Sequence, residues 1–281
     1  MPIVARVLQH PPVMSTAHHL TAAALLPLGL LACKAPTAQT CDSQPAVTPA
    51  PAALRDGWPN EPTGLTVVSD GSLGALGKDG WKCAGTGVSV LTDPAAPSFR
   101  ALVFTYEPGF PSGYAPGGAY YDLPTPTTET YFGFWWKPSN PWQSQASGVN
   151  KIALLFPVTP AAGTIYIMMF FDGHKYTIQT ETTFDTDTRR LEPNLTATPV
   201  VLGKWHQIEW YVRYSSSPSS HNGVVRWWLD GVPQGAYTDL QMPPDPGFIE
   251  YTVRPIWGGG VGETKKQRDS FSYGPVHVSK H

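Results

Sequence analysis

From residue 56 to the carboxyl end, apolar residues recur at every second position in short runs, each closed by Gly, Pro, Asn or Asp. The pattern predicts strands at 64–69, 87–92, 99–106, 130–137, 149–156, 164–171, 174–182, 205–214, 223–230, 251–257 and 271–279. No segment places its apolar residues at helical spacing. Many short strands without a helix predict an all-β sandwich or jelly roll, and a single domain over 56–281.

Period two also assigns faces. Ile208, Trp210 and Val212 point to a core, as do Val225, Trp227 and Leu229, Phe132, Phe134 and Trp136, and Ile152, Leu154 and Phe156. The alternate positions carry Tyr131, Trp135, Lys137, Lys151, Ala153, Gln207, Glu209, Tyr211, Arg213, Arg226, Trp228 and Asp230. A solvated strand face normally carries Thr, Ser, Lys and Glu, so this aromatic, cationic and amide-rich set marks a binding surface. In 164–182, Asp172-Gly173 divides two β-prone runs and predicts a type I′ hairpin. The register then sets Phe171 opposite His174, Met169 opposite Tyr176 and Ile167 opposite Ile178. Tyr166, Met168, Phe170, Lys175, Thr177 and Gln179 share the other face, which leaves His174 on the rim and Tyr176 in the core.

The amino terminus reads differently. Residues 20–32 are apolar but shorter than the ~20 residues that cross a bilayer, and Arg6 precedes them with no acid in 1–32. This is the pattern of a secretory signal, with Met14 an alternative start. Leu30-Leu31-Ala32-Cys33 resembles the lipobox of bacterial lipoproteins, which implies lipidation of Cys33 and a membrane-anchored protein of the bacterial cell envelope, at the outer membrane or cell surface. An ordinary signal peptide with an incidental cysteine is the alternative. Residues 33–55, rich in Pro, Ala and Thr, form a tether. Cys41 and Cys83 then remain as a candidate disulfide in an oxidising compartment, or as two unpaired thiols.

Composition narrows the partners. Of 281 residues 14% are charged, and the formal charge is −2. A chain so close to neutral, without a basic run, excludes nucleic acid held by bulk charge. Gly 27 and Pro 30 fit turn-rich β structure, and Trp 10, Tyr 12 and Phe 11 are too many for a disordered chain.

Gly203-Lys204-Trp205-His206, followed by a polar loop and Gly223-Val224-Val225-Arg226-Trp227-Trp228-Leu229-Asp230-Gly231, resembles the concanavalin-A-like lectin/glucanase superfamily. Ser147–Ile152 and the closing Gly274–Ser279 fit the same architecture. The resemblance implies a jelly-roll sandwich of two antiparallel sheets whose concave face in many members binds or cleaves polysaccharide, the alginate-lyase-like and heparin-lyase-like groups being the nearest enzymes. The Glu-x-Asp-x-x-Glu strand of its retaining glycoside hydrolases is absent, since no Glu has Asp two positions later. The Gln-Ile-His element of alginate lyases is replaced by Lys151-Ile152-Ala153 if 149–156 is the matching strand.

Elimination by another route needs a cation to neutralise a uronate carboxylate, a base and an acid. Lys151, Arg213 and Arg226 supply the first. Tyr166 or Tyr211 supplies the others if a neighbouring cation lowers its pKa from about 10. Binding without catalysis is set ahead of elimination, with Trp135, Lys151, Tyr166, Gln179, Glu209, Tyr211, Arg213, Arg226 and Trp228 as carbohydrate-binding candidates and Tyr166, Tyr211 and Arg213 as the catalytic set of a lyase. These residues cannot all share one face, because each sheet has its own outer surface. A third reading is an envelope or adhesion module that uses the aromatics as a protein interface. No cofactor is required. No Cys/His cluster has zinc spacing, and a structural calcium ion at Asp70, Asp79 or Asp269 competes with their use as turn caps.

Overall fold

The computed structural model describes residues 57–75, 80–96, 98–159, 163–243 and 246–281. The signal segment 1–32 with Cys33, the tether 33–55 with Cys41, and Asp79 lie outside the described residues. Two antiparallel sheets make up the fold. The larger contains β1 (Thr66–Ser72), β3 (Val88–Thr92), β4 (Arg100–Tyr106), β6 (Glu129–Pro138), β11 (His206–Arg213), β12 (Gly223–Leu229), β13 (Val232–Leu240) and β15 (Asp269–Lys280). The smaller contains β2 (Lys82–Gly85), β5 (Gly117–Thr127), β7 (Val149–Pro157), β8 (Ile165–Phe171), β9 (Tyr176–Phe184), β10 (Asp187–Leu191) and β14 (Phe248–Val253). A single 3-10 turn, Leu73–Ala75, is the helical content of the described residues.

The larger sheet runs β13-β12-β11-β6-β15-β4-β3, with β1 pairing the far half of β15; the smaller runs β10-β9-β8-β7-β14-β5-β2. Their inner faces meet in one aromatic core. Phe132, Phe134, Trp136, Trp210, Trp227 and Phe271 come from the larger sheet, and Ile152, Leu155, Ile167, Met169, Ile178 and Tyr251 from the smaller; all are fully buried. This is a jelly-roll sandwich, as the alternation predicts.

Two bulges shift the alternation. In β15 the pairing slips between Tyr273 and Val276, so Phe271 and Tyr273 face the core before Gly274-Pro275, and Val276 and Val278 after it. In β7 the pairing slips between Lys151 and Ala153. The extra residue turns Leu155 inward and Leu154 and Phe156 outward, where they join Tyr166, Met168 and Phe170 in a second cluster. The expectation that Leu154 and Phe156 lie in the main core is therefore corrected.

The hairpin register is corrected as well. Phe171 pairs with Tyr176, and Met169 with Ile178, two residues away from the predicted register. Asp172 Oδ1 accepts the backbone N–H groups of His174 and Lys175 at 2.8 and 2.9 Å, so the carboxylate closes a four-residue loop. A two-residue shift leaves every side chain on its predicted face. The type I′ signature appears instead at Asp230-Gly231, where φ is 54° and 77° and Leu229 pairs directly with Val232. Asp230 is held there by Gln207 N–H at 2.8 Å and by His206 Nδ1 at 2.7 Å.

Candidate functional site

The outer faces of the two sheets have different fates. That of the larger sheet is covered by the chain itself. Trp58 lies on Gly133, where an added Cβ would come within 2.4 Å of the indole, and stacks on the His277 ring at 5.6 Å. Asn60 donates its backbone N–H and its side-chain amide to the two oxygens of Glu209 at 2.9 and 2.8 Å, and the Tyr131 hydroxyl donates to Glu209 at 2.6 Å. Gln207 Nε2 donates to the Gly57 carbonyl at 2.8 Å. Glu209 is thus fully buried, with both oxygens committed to the chain's own groups.

The remaining candidates on that sheet are spread around this cover. Tyr211 donates its hydroxyl to Glu129 at 2.6 Å and packs with Tyr131, Val224 and Trp228 beneath Trp58 and Leu65. Trp135 is buried, while Arg213 and Arg226 stay exposed. Beside Trp135, Lys137 pairs with Asp93 at 2.5 Å and Trp205 donates to the same carboxylate at 3.0 Å.

The outer face of the smaller sheet carries a cluster of its own, in which Leu154, Tyr166 and Met168 are buried and Phe156 and Phe170 pack against them, and the strand pairing arranges its side chains in two rows. The first runs Lys82, Tyr120, Thr252, Leu154, Tyr166, Glu181, Arg190, one residue from each of the seven strands. The second sets Lys151 opposite Met168, and Met168 opposite Gln179. Arg254 follows the last residue of β14, and its stem lies 3.6 Å from where a Gly118 Cβ would stand.

Lys151 Nζ sits 4.1 Å from the centre of the Tyr166 ring, and the Arg190 guanidinium lies 4.3 Å from the centre of the Phe170 ring. Gln179 is buried; its Nε2 donates to Thr177 at 3.3 Å, and its carbonyl oxygen meets no donor among the described residues. Burial holds the Lys151 ammonium below its ordinary range; Glu181 opposes this, and the nearby Arg254 adds to it. Burial, followed by the Glu181 carboxylate, pushes the Tyr166 phenol well up. Tyr211 is pushed up to about 12 by burial and by Glu129. A phenol lowered by a neighbouring cation, the sequence expectation, is contradicted at both tyrosines: burial outweighs the cations.

No protein-family model matches the chain, and no curated protein matches it. Solved structures do. Alginate lyase vAL-1 from Chlorella virus superposes with a TM-score of 0.57 at 12% identity, over 77% of this chain and 100% of that one. The endo-β-1,4-glucuronan lyase from the fungus Trichoderma reesei gives 0.54 at 19%, over 76% and 94%. A mutant of alginate lyase Aly36B in complex with alginate tetrasaccharide gives 0.55 at 13%, over 77% and 97%. The fold is the jelly-roll sandwich of these lyases. At such identities the likeness speaks for architecture alone.

The jelly roll splits the predicted site residues. Lys151, Tyr166 and Gln179 share the outer face of the smaller sheet; Trp135, Glu209, Tyr211, Arg213, Arg226 and Trp228 belong to the larger. Tyr211 and Arg213 therefore stand apart from Tyr166. Sequence reasoning missed Glu181, Arg190 and Arg254. The first follows by period two from Gln179, but Arg190 sits in a polar edge strand and Arg254 just past a strand end. Of the calcium candidates, Asp269 is buried against Lys265 and Asp70 lies 3.3 Å from His277 Nδ1. Among the described residues no three His, Cys, Asp or Glu side chains gather to hold a metal.

Proposed function

We propose that the outer face of the smaller sheet binds a uronate-containing polysaccharide and cleaves it by β-elimination. The observation that carries this reading is the Lys151–Tyr166 contact, in which two adjacent groups are shifted in opposite senses: the lysine toward its neutral, basic form and the phenol toward its protonated form. That is the division of labour an elimination needs. Arg254, exposed beside Lys151, neutralises the uronate carboxylate and so acidifies the C5 proton. Lys151 in its unprotonated form, which the lowered pKa makes more accessible, takes that proton, the C5–H electron pair forms the C4=C5 double bond, and the C4–O bond breaks. Tyr166 protonates the departing oxygen. Lys151 then holds one proton too many and Tyr166 one too few, and exchange with solvent water restores both.

The lyases named above share the fold and, by their names, act on uronate polymers, which supports the substrate class. Binding without cleavage is the second reading, favoured by the exposed Arg190 and Arg254 on this face, which hold acidic sugars whether or not a bond breaks. Unsaturated uronate appearing in the ultraviolet when purified protein meets uronate polymers supports the first reading. Gel retardation without product supports the second, and neither would support the interface reading. Export belongs to the proposal too: Cys83 is disulfide-bonded, which suits an oxidising compartment, and the lipobox-like sequence ending at Cys33 suits a lipid anchor in a bacterial envelope.

A further inference from the structure

Arg190 starts from the first row on the edge strand β10, yet its guanidinium ends over Phe170 of β8, four residues along that strand from Tyr166. The side chain thus reaches diagonally across the outer face of β9, over the stretch that holds Thr177 and the buried Gln179. Among the described residues its ion pair is with Glu192 at 3.4 Å, between side chains 40% and 62% exposed. Such a pair is worth little and yields readily to a better anion. The Phe170 ring also lines a hollow of about 670 Å³ whose wall includes Ser144, Gln145, Ser147 and Glu263. Glu263 accepts from Gln145 Nε2 at 2.7 Å and from Ala146 N–H at 3.0 Å, both at Oε1, so its other oxygen faces no donor among these.

We infer that Arg190 and Phe170 form a second acidic-sugar subsite, distinct from the reacting one, which extends into this hollow. It rests on the proposed reading of the face. The Phe170 ring seats the guanidinium, the guanidinium clamps the carboxylate of one sugar, and Glu263 with the hollow's amide and hydroxyl groups takes the hydroxyls of the next unit. The carboxylate of the reacting sugar lies at Arg254, on the far side of Lys151. The ligand class is therefore a polymer bearing uronates on more than one residue, and short fragments fill one subsite only.

The test is binding of the purified protein to uronate oligomers of increasing length, and to a long uronate polymer in affinity gels, comparing wild type with Arg190→Ala and Arg190→Lys. Arg226→Ala, an exposed arginine of the other sheet, matches the loss of charge. The expected result is that wild type gains affinity with length and that Arg190→Ala abolishes this gain, weakening long oligomers on the order of tenfold or more and dimers hardly at all. Arg190→Lys recovers part of the gain, and Arg226→Ala behaves as wild type. Equal weakening of short and long oligomers, or none, overturns the subsite while leaving the reacting face intact. Failure of wild type to bind any uronate polymer overturns the subsite and the proposed function together.

Discussion

Lys151 Nζ rests 4.1 Å from the centre of the Tyr166 ring, across two adjacent strands on the outer face of the smaller sheet. Burial depresses the first group and raises the second. Activity should therefore rise with pH as Lys151 loses its proton, below the ordinary lysine value of about 10.4, and persist until the phenol ionises, above its ordinary value of about 10. A pH–rate profile checks this. Lys151→Ala should remove the rising limb together with the activity, at unchanged circular dichroism.

The two tyrosines give a paired prediction. Tyr166→Phe should lower the rate of elimination by about 10²–10⁴-fold while leaving retention on uronate gels nearly intact. Tyr211→Phe should leave the rate unchanged and cost about 1 kcal/mol of stability through the lost bond to Glu129. Rates and denaturant midpoints of both variants decide it; a large loss of activity in Tyr211→Phe would move the site to the other sheet.

Trp58 fastens residues 57–65 over the larger sheet. Because it is half-buried, Trp58→Ala should cost about 1–3 kcal/mol, less than the ~3–5 of a core tryptophan. Activity should not change. Amide exchange should speed up at Asn60 and at the groups that hold it.

Lys265 and Asp269 form an ion pair with both side chains inaccessible to solvent. The ammonium lies 3.8 Å from the centre of the Trp142 ring and 4.6 Å from that of Trp257, and donates to the Gln143 carbonyl at 2.8 Å. Lys265→Met should cost about 3–5 kcal/mol, since it strands a buried carboxylate, and adding Asp269→Leu should restore part of the loss. Urea unfolding of the single and double variants measures the coupling.

Alkali should unfold the protein cooperatively. Tyr106 and Tyr273 are fully buried, and burial raises both phenols well above their ordinary value. A raised folded-state pKa contributes stability that is complete below about 10, where the unfolded phenol still holds its proton, and is lost as pH climbs beyond it. Denaturant midpoints should fall from pH 9 to pH 11 or so, with tyrosinate absorbance rising in step with unfolding.

Period two was enough to find each interior strand except β5, because a buried strand face must be apolar. The missed strands carry other signals: β5 contains Pro124 and Pro126, β13 contains Pro233 and Gly235, and β2 and β10 are short edges. The β7 bulge leaves no mark in composition, so Leu154 and Phe156 read as core until the pairing shows the slip. Lys151, Tyr166 and Gln179 were legible as an outward set from their parity. That residues 57–65 cover the larger sheet was not, since the cover depends on contacts such as Asn60 to Glu209, 149 residues apart. Parity cannot reveal that Arg190 crosses β9 to reach Phe170, because a long side chain is free to leave its own row.

The most direct test of the central claim is to incubate the purified protein and its Lys151→Ala variant with a panel of neutral and acidic polysaccharides and follow ultraviolet absorbance. Growth of unsaturated uronate on at least one acidic polymer with wild type, and none with Lys151→Ala, is the predicted result. Equal growth with both proteins, or cleavage restricted to neutral polymers without unsaturated product, would contradict it.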